Sequence, residues 1–320
     1  MGFAESIPPP VKDNFNKIWT SPKKRSAALV VIICVILLIT HTFVGSYNFI
    51  LPSSVAANAD SLRNGDWRSI SDVDIVISHF NEDVNIMRES IKSVTSVLDR
   101  LSTKKSRRVI IYSKGETDDD TMKEMLDMSD EVVKIENVGR EGETYLSHIV
   151  RNYENPVTNL AQHTIFMQPH VAWDWLFLPR LEKSFQPNTG FLSFGVYISH
   201  ICGNDTHGQV HPRMADIYSM FRQDFCPPES VLGTWAGQFI VSRQRILENS
   251  LKSYVNLRDK FHEPSDHWIW KEGWWNNEPT NPTLGHALER SWPMIFGCTD
   301  PSLEKSCEEA VPGTSCQCLD

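Results

Sequence analysis

Short apolar runs alternate with amphipathic helical patterns from residue 74 to residue 170, and this alternation restricts the fold more than any other feature of the sequence. Strands joined by helical crossovers run parallel, and strands that are apolar on both faces need helices on both sides of the sheet. The sequence therefore predicts an α/β domain over residues 71–297, with a mostly parallel sheet and flanking helices. The predicted strands are DIVISHF at 74–80, RVIIYSKG at 108–115, EVVKI at 131–135, HTIFMQPH at 163–170 and GFLSFG at 190–195.

Polar residues follow the predicted strands, at the edge of the sheet where their carboxyl ends meet. Ligands of open α/β sheets bind beyond this edge. Asn81, Glu82 and Asp83 follow the first strand and are candidate ligand contacts. The acidic run at 118–120 follows the second strand, but it also precedes a helix. Acidic residues there cap the helix and complement its dipole, and we favour that interpretation.

The N-terminal region predicts a membrane anchor. Three basic residues at 23–25 precede a mostly apolar run at 27–45, and about 17–25 such residues can span a bilayer as a helix. Basic residues before the span favour a cytosolic tail at 1–26, a stem at 46–70 and a domain in the lumen of the Golgi or endoplasmic reticulum. The alternative is a cleavable secretory signal, although the polar leader is long for one.

Cysteine usage agrees with a lumenal domain. Six of the seven cysteines follow the apolar run, namely Cys202, Cys226, Cys298, Cys307, Cys316 and Cys318. An oxidising compartment would allow up to three disulfides, of which Cys202 with Cys226 is a natural pair. The remaining pairing is open, and residues 298–320 form a cysteine-rich tail. Asn204 begins an N-glycosylation sequon, NDT, in the same region.

The charge balance excludes one class of partner. The chain has a formal net charge of −9 and carries no basic stripe beyond its N-terminus. Because nucleic-acid affinity depends on neutralising phosphates, this composition argues against a nucleic-acid partner.

The segment NVGREG at 137–142 combines glycines with an arginine at the start of a predicted helix. A helix N-terminus attracts anions, glycines allow an anion to approach the backbone, and a guanidinium can hold two phosphate oxygens. Gly139, Arg140 and Gly142 are therefore candidates for a diphosphate site. In the alternative interpretation the glycines only form a turn, and Arg140 pairs with Glu141 or Glu143.

Cys202, His207 and His211 have a spacing that is compatible with zinc, but no fourth ligand is evident and Cys202 suits a disulfide. A metal-dependent hydrolase built on His170, His207 and His211 is the weakest functional hypothesis.

Several motifs together resemble a known family. NVGREGETYLSHIV, AGQFIVSRQRI and LERSWPMIFG, within residues 73–298, look like a domain family of unknown function that is common in filamentous fungi. That family is more faintly similar to nucleotide-sugar transferases with the Rossmann-like glycosyltransferase-A fold. The resemblance implies that Asn81, Glu82 and Asp83 lie near the nucleotide and that Glu289 is the catalytic base. It also implies an acceptor side lined by Gly237, Gln238 and Phe239, to which we add Trp292.

The sequence departs from this pattern at the metal site. Such transferases commonly hold a divalent cation with a D-x-D motif after the fourth strand, where this chain has Gln168 and His170. These are poor ligands for hard cations, so basic residues would replace the metal. The candidates for this role are Arg140, Arg243 and Arg290.

The sequence thus predicts a glycosyltransferase that moves a sugar from a nucleotide-sugar donor to a glycan or glycoprotein acceptor. The missing D-x-D motif keeps open a non-catalytic carbohydrate-binding or assembly protein on the same fold.

Overall fold

A computed structural model describes residues 71–101, 106–205, 207–274, 277–307 and 315–320. Within these ranges no helix has both the length and the apolar composition that a membrane crossing requires. The predicted cytosolic tail, anchor and stem, at 1–26, 27–45 and 46–70, lie outside the described residues.

A seven-stranded sheet forms the centre of the molecule. Its strands are β1 Val73–His79, β2 Arg107–Ser113, β3 Glu131–Lys134, β4 His163–Met167, β5 Thr189–Ser193, β9 Phe239–Ser242 and β10 Cys318–Leu319. They follow the order β10-β5-β9-β4-β1-β2-β3, and β1 to β5 all run in the same direction. The predicted mostly parallel sheet is therefore confirmed, while β9 and β10 run against the others.

Helices cover both faces of this sheet. In order along the described chain they are α1 Val84–Leu101, α2 Asp119–Met128, α3 Arg140–Asn152, α4 Pro156–Asn159, α5 Asp174–Lys183, α6 Met214–Arg222, α7 Arg243–Leu247, α8 Leu251–Asp259, α9 Thr283–Ile295 and α10 Ser302–Ser306. The β1-to-β2 and β3-to-β4 crossovers move in opposite directions along the sheet. Since crossovers between parallel strands are right-handed, this reversal puts α1 and α3 on opposite faces. α5 packs beside α1, whereas α8 and α9 pack beside α3.

The predicted cap at the start of α2 is confirmed. Asp118 Oδ1 accepts a 2.7 Å hydrogen bond from the Thr121 N–H, which would otherwise have no partner within the helix. The acidic run at 118–120 thus stabilises a helix end.

A small antiparallel sheet lies beside the central one. It has the order β7-β6-β8, with β6 Tyr197–Ile201, β7 Asn204–Asp205 and β8 Val231–Thr234. The predicted disulfide between Cys202 and Cys226 follows β6.

The C-terminal segment belongs to the same core. Cys298 pairs with Cys318 and Cys307 with Cys316, so all six cysteines beyond the apolar run form disulfides. β10 extends the central sheet by pairing with β5, and Cys298 and Cys316 are fully buried. Each closed loop removes conformational freedom from the unfolded chain and so stabilises this edge of the sheet.

Candidate functional site

A group of charged and polar side chains lies at the carboxyl edge of the central sheet, where α3 begins and meets α9. We call it the Glu289 cluster, and it consists of Arg140, Glu141, His286, Glu289 and Arg290. The two carboxylates flank Gly237, in the turn that precedes β9. A Cβ atom at Gly237 would lie 3.2 Å from Glu141 Oε1 and 3.6 Å from Glu289 Cγ. The sequence separates Glu141 from Glu289 by more than a hundred residues, and the fold brings them to the same turn.

Backbone and side-chain contacts fix the Glu289 carboxylate. Glu289 Oε1 accepts a 2.8 Å hydrogen bond from the Ala236 N–H. Glu289 Oε2 lies 3.5 Å from Arg290 Nη1 and 3.9 Å from His286 Nδ1. The side chain is 12% exposed.

The surroundings make Glu289 a stronger base than an ordinary carboxylate. Burial raises its pKa, and the negative charge of Glu141 raises it further. Arg290, Arg140 and the Ala236 hydrogen bond act against this rise without reversing it. A carboxylate with a raised pKa takes a proton more readily near neutral pH.

Arg140 forms the ion pair of the alternative interpretation of the NVGREG segment. Its Nε lies 3.5 Å from Glu141 Oε2. The same side chain is 31% exposed and lies at the edge of the cluster, with Nη1 3.0 Å from the ring nitrogens of His286. Its backbone has φ of 55°, a conformation that is uncommon for residues other than glycine.

His286 is a neutral member of the cluster. Burial lowers its pKa to about 3, and the charges of Arg140 and Arg290 act in the same direction. The Trp274 ring lies against the imidazole, with 4.5 Å between ring centroids. His286 therefore contributes hydrogen-bonding capacity but no charge at neutral pH.

The glycines of the NVGREG segment serve chain packing. The Gly139 N–H donates a 2.7 Å hydrogen bond to the Pro279 carbonyl, and a Cβ at this position would lie 2.8 Å from the Phe261 ring. A Cβ at Gly142 would lie 2.8 Å from Leu288 Cδ2, so this glycine lets α3 approach α9 closely. Because neighbouring groups occupy the space in front of both glycines, the structure does not show an open backbone cradle there.

Lys114 is a charged residue that sequence reasoning missed. It follows β2 and is buried, and its ammonium group donates to the carbonyls of Val138 and Arg140 and to Glu143 Oε2, the last at 3.0 Å. Burial lowers its pKa, while Glu143 opposes this change. The available signal was a lysine directly at the carboxyl end of an apolar strand.

Asn81, Glu82 and Asp83 remain near the end of β1. Glu82 accepts a 2.8 Å hydrogen bond from the Phe80 N–H, and Asp83 accepts one of 2.7 Å from the Asn85 N–H. Asn81 is exposed and lies beside Gly115, where a Cβ would be 2.9 Å from its Oδ1. These residues share the carboxyl edge with the Glu289 cluster, but the described contacts do not join them to it.

Gln238, Phe239 and Trp292 do not line a surface. All three are fully buried, and the Phe239 and Trp292 rings pack with 5.1 Å between their centroids. Gln238 Nε2 donates to the Ala172 carbonyl at 3.3 Å. The predicted contacts with an acceptor thus reduce to Gly237, because the other three side chains belong to the core.

Arg243 lies at the opposite edge of the sheet. It follows β9, and β9 runs against β4, so Ser242 pairs with His163 at the start of β4. Its guanidinium donates to the Leu160 carbonyl at 3.2 Å. The structure therefore does not place Arg243 with Arg140 and Arg290.

The residues at the expected metal position do not fit a hard cation. Gln168 and His170 offer a carboxamide and an imidazole, whereas Mg²⁺ and Mn²⁺ prefer carboxylates. Within the described ranges no group of three or more His, Cys, Asp and Glu side chains is arranged to hold a metal.

The zinc-like triplet is also explained without a metal. Cys202 is in a disulfide, and His211 Nε2 lies 3.2 Å from Asp205 Oδ2, with both side chains buried. Asn204, the predicted glycosylation site, is exposed in β7, and the third residue of its sequon lies outside the described ranges.

No curated protein matches this chain. A family described as protein of unknown function (DUF3431) matches residues 103–318, which cover all of the Glu289 cluster. By this match over most of its length, the chain belongs to the DUF3431 family.

Proposed function

We propose that this protein is a glycosyltransferase of the nucleotide-sugar-dependent, glycosyltransferase-A-like kind, with Glu289 as the catalytic base. The observation that carries the proposal is the environment of Glu289. Its carboxylate is oriented by the Ala236 N–H, has a raised pKa and lies at the carboxyl edge of the sheet. A general base must be positioned to reach the proton that it accepts, and it works best when its pKa lies near the operating pH.

The topology of the sheet supports a ligand site at this edge. The chain moves from β1 to β2 in one direction, whereas β4 lies on the other side of β1. This reversal creates a crevice between the carboxyl ends of β1 and β4, where ligands of open α/β sheets bind. Asn81 follows β1 at this crevice and is our candidate for contact with the nucleotide, with Glu82 and Asp83 shaping its turn.

The proposed reaction is a direct displacement. The acceptor hydroxyl gives its proton to Glu289 while its oxygen forms a bond to the anomeric carbon of the donor sugar. The bond from that carbon to the diphosphate breaks, and the nucleoside diphosphate leaves with the electron pair. Arg140 and Arg290 supply positive charge beside the departing group. No step is assigned to a metal, since Gln168 and His170 do not fit one.

A donor screen with a base variant tests the proposal. The full chain is incubated with a panel of nucleotide sugars, with and without Mn²⁺, and binding is followed by thermal shift. Glu289→Gln keeps the shape of the side chain and the hydrogen bond from Ala236 but cannot accept a proton. We expect unchanged donor binding and transfer reduced about 10²–10⁴-fold, the usual contribution of a general base.

Glu124→Gln is the matched control, because this carboxylate is 49% exposed and pairs with Arg88 on the surface. It should leave transfer unchanged. Full transfer by Glu289→Gln would refute the assignment of the base. Absence of a shift with every donor would refute nucleotide-sugar chemistry and favour the non-catalytic carbohydrate-binding alternative.

We also propose that the domain works on the lumenal side of a Golgi or endoplasmic reticulum membrane. The three disulfides support an oxidising compartment. In sealed microsomes a C-terminal tag should resist added protease. Treatment with an N-glycosidase should increase the electrophoretic mobility of the wild type but not that of Asn204→Gln. Digestion of the tag in intact microsomes would contradict this orientation.

A further inference from the structure

Asp205 connects the small antiparallel sheet to the Glu289 cluster. Its Oδ2 lies 3.9 Å from Arg290 Nε, and Arg290 Nη1 lies 3.5 Å from Glu289 Oε2. The Asp205 side chain is fully buried and that of Arg290 is 10% exposed. Charges a few ångströms apart interact strongly where water is excluded. One guanidinium is therefore shared by two carboxylates that come from different parts of the fold.

The packing of the small sheet explains how Asp205 reaches Arg290. Asp205 in β7 pairs with His200 in β6, and β8, on the other side of β6, packs against α9. Gly233 in β8 permits this packing, because a Cβ there would lie 2.8 Å from His200 Cδ2 and 3.1 Å from the Arg290 carbonyl oxygen. The small sheet thus lies directly against the part of α9 that carries Glu289.

Backbone and side-chain contacts hold the Asp205 carboxylate in place. Its Oδ1 accepts 2.9 Å hydrogen bonds from the His207 and Gln209 N–H groups. Its Oδ2 lies 3.2 Å from His211 Nε2. Burial lowers the pKa of His211, and the charge of Arg290 acts in the same direction, so this imidazole is neutral at neutral pH. Among the described residues, Arg290 is thus the charged partner of Asp205.

Arg290 is the arginine of the cluster that could pair more closely with Glu289. Arg140 already has its own carboxylate, since its Nε lies 3.5 Å from Glu141 Oε2. Arg290 Nε has no hydrogen-bond partner within the described ranges, and Asp205 lies within ion-pair distance of it. Without the negative charge of Asp205, the guanidinium would be drawn towards Glu289 alone. A closer ion pair would stabilise the ionised form of Glu289.

From these contacts, we propose that Asp205 is a positioning residue that holds Arg290 back from a closer ion pair with Glu289 and so preserves Glu289 as a proton acceptor. The inference rests on the proposed function for the role of Glu289 as the catalytic base, whereas the coupling of the three charges does not depend on that role. Asp205 acts through Arg290 and has no contact with a substrate.

The pKa of Glu289, measured on the full chain without any donor, tests the inference. Glutamate side-chain carboxyl groups are labelled with carbon-13, and the Glu289 resonance is identified by its absence in Glu289→Gln. Its chemical shift is then followed as a function of pH. Asp205→Asn keeps an oxygen for the two backbone hydrogen bonds but removes the negative charge. We expect the pKa of Glu289 to fall by about one unit, as a closer opposite charge produces.

Arg290→Met shows whether the effect passes through the guanidinium. Removal of this cation should raise the pKa of Glu289, since Arg290 lowers it in the wild type. The addition of Asp205→Asn to Arg290→Met should then cause no further shift. Asp216→Asn is the matched control, because this carboxylate is 57% exposed and pairs with Arg213. It should leave the pKa of Glu289 unchanged.

An unchanged or higher pKa of Glu289 in Asp205→Asn would overturn the inference. An equal fall of that pKa in the Arg290→Met background would also overturn it, because Asp205 would then act on Glu289 directly. These titrations use no nucleotide sugar, so the role of Asp205 and the transferase activity can fail separately.

Discussion

The Ala236 N–H donates a 2.8 Å hydrogen bond to Glu289 Oε1, and Ala236 holds φ of 74° in the turn that carries it. A positive φ is uncommon for alanine and costs free energy. The turn thus combines a strained donor with a flanking Gly237 that leaves room for two carboxylates. This hydrogen bond fixes the direction of the Glu289 carboxylate.

Glu141→Gln should move the acid limb of the pH–activity profile to lower pH. The negative charge of Glu141 raises the pKa of Glu289, so its removal lowers that pKa, and Arg140 and Arg290 then act unopposed by a second carboxylate. Glu289 would be ionised at lower pH but would be a weaker base, so the plateau rate should also fall. The measurement is kcat/KM for sugar transfer as a function of pH.

Glu182→Gln is a suitable control, because this carboxylate pairs with Arg100 on the surface. Its profile should superimpose on that of the wild type. A shift of the Glu141→Gln limb to higher pH would show that the two carboxylates are not coupled as the structure indicates.

Sequence patterns were sufficient for the parallel part of the fold. The apolar runs around β1, β2 and β4 are separated by helical patterns, and right-handed crossovers then leave few alternatives. The cap at Asp118 and the disulfide between Cys202 and Cys226 were also predictable from local chemistry.

The orientation of β9 was not predictable, because apolar patterns do not encode the direction of a strand. This explains why Arg243 is at the opposite edge from the Glu289 cluster, since a residue after an antiparallel strand lies at the wrong end of the sheet. The burial of Phe239 and Trp292 was not predictable for a different reason. A tryptophan that fills a core and one that binds a sugar look the same in sequence, and only the packing separates them.

Acidification should destabilise the fold between pH 6.5 and about pH 4. Burial lowers the pKa of His148 and of His200 to about 4, and that of His286 to about 3, from the ordinary 6.5. The unfolded chain therefore binds protons before the folded chain does. The stabilisation is complete above pH 6.5 and is lost as the pH falls through this window, by up to about 1.4 kcal/mol per pH unit for each histidine.

The measurement is the free energy of unfolding from urea titrations at a series of pH values. His148→Phe should make the dependence of this free energy on pH shallower by the equivalent of about one proton. A slope that is unchanged in His148→Phe would contradict the assignment of a depressed pKa.

Lys114→Met should destabilise the protein strongly. The ammonium group of Lys114 is 3.0 Å from Glu143, and both side chains are 2% exposed. Its removal leaves a buried carboxylate without its cation, for which about 3–5 kcal/mol is typical. In Lys114→Met/Glu143→Gln the second change removes the unpaired charge, so the double variant should be more stable than Lys114→Met alone.

The surface pair of Lys92 with Glu89 provides the comparison. Its side chains are 62% and 71% exposed, so Lys92→Met should cost less than about 1 kcal/mol. Equal losses in Lys92→Met and Lys114→Met, measured by urea unfolding, would show that burial of the Lys114 pair has no energetic consequence.

Gly142→Ala should push α3 away from α9 and so displace Glu289, which follows Leu288 on α9. The new Cβ would lie 2.8 Å from Leu288 Cδ2, within a well-packed interface, and overpacking of this kind costs about 1–3 kcal/mol. Since Glu289 is the next residue on α9, transfer should decrease more than stability alone explains. Gly285→Ala, whose Cβ meets no atom closer than 3.3 Å, is the control for stability and should be nearly neutral in the free energy of unfolding.

A double-mutant cycle with Leu288→Ala separates overpacking from other effects of the alanine. Leu288→Ala alone should cost about 2–5 kcal/mol because it leaves a cavity, and the methyl group introduced by Gly142→Ala can occupy part of that cavity. The loss in Gly142→Ala/Leu288→Ala should then be smaller than the sum of the single losses by about 0.5–3 kcal/mol, as for residues in direct contact. Strictly additive losses would contradict the assignment of Gly142 to the close approach of the two helices.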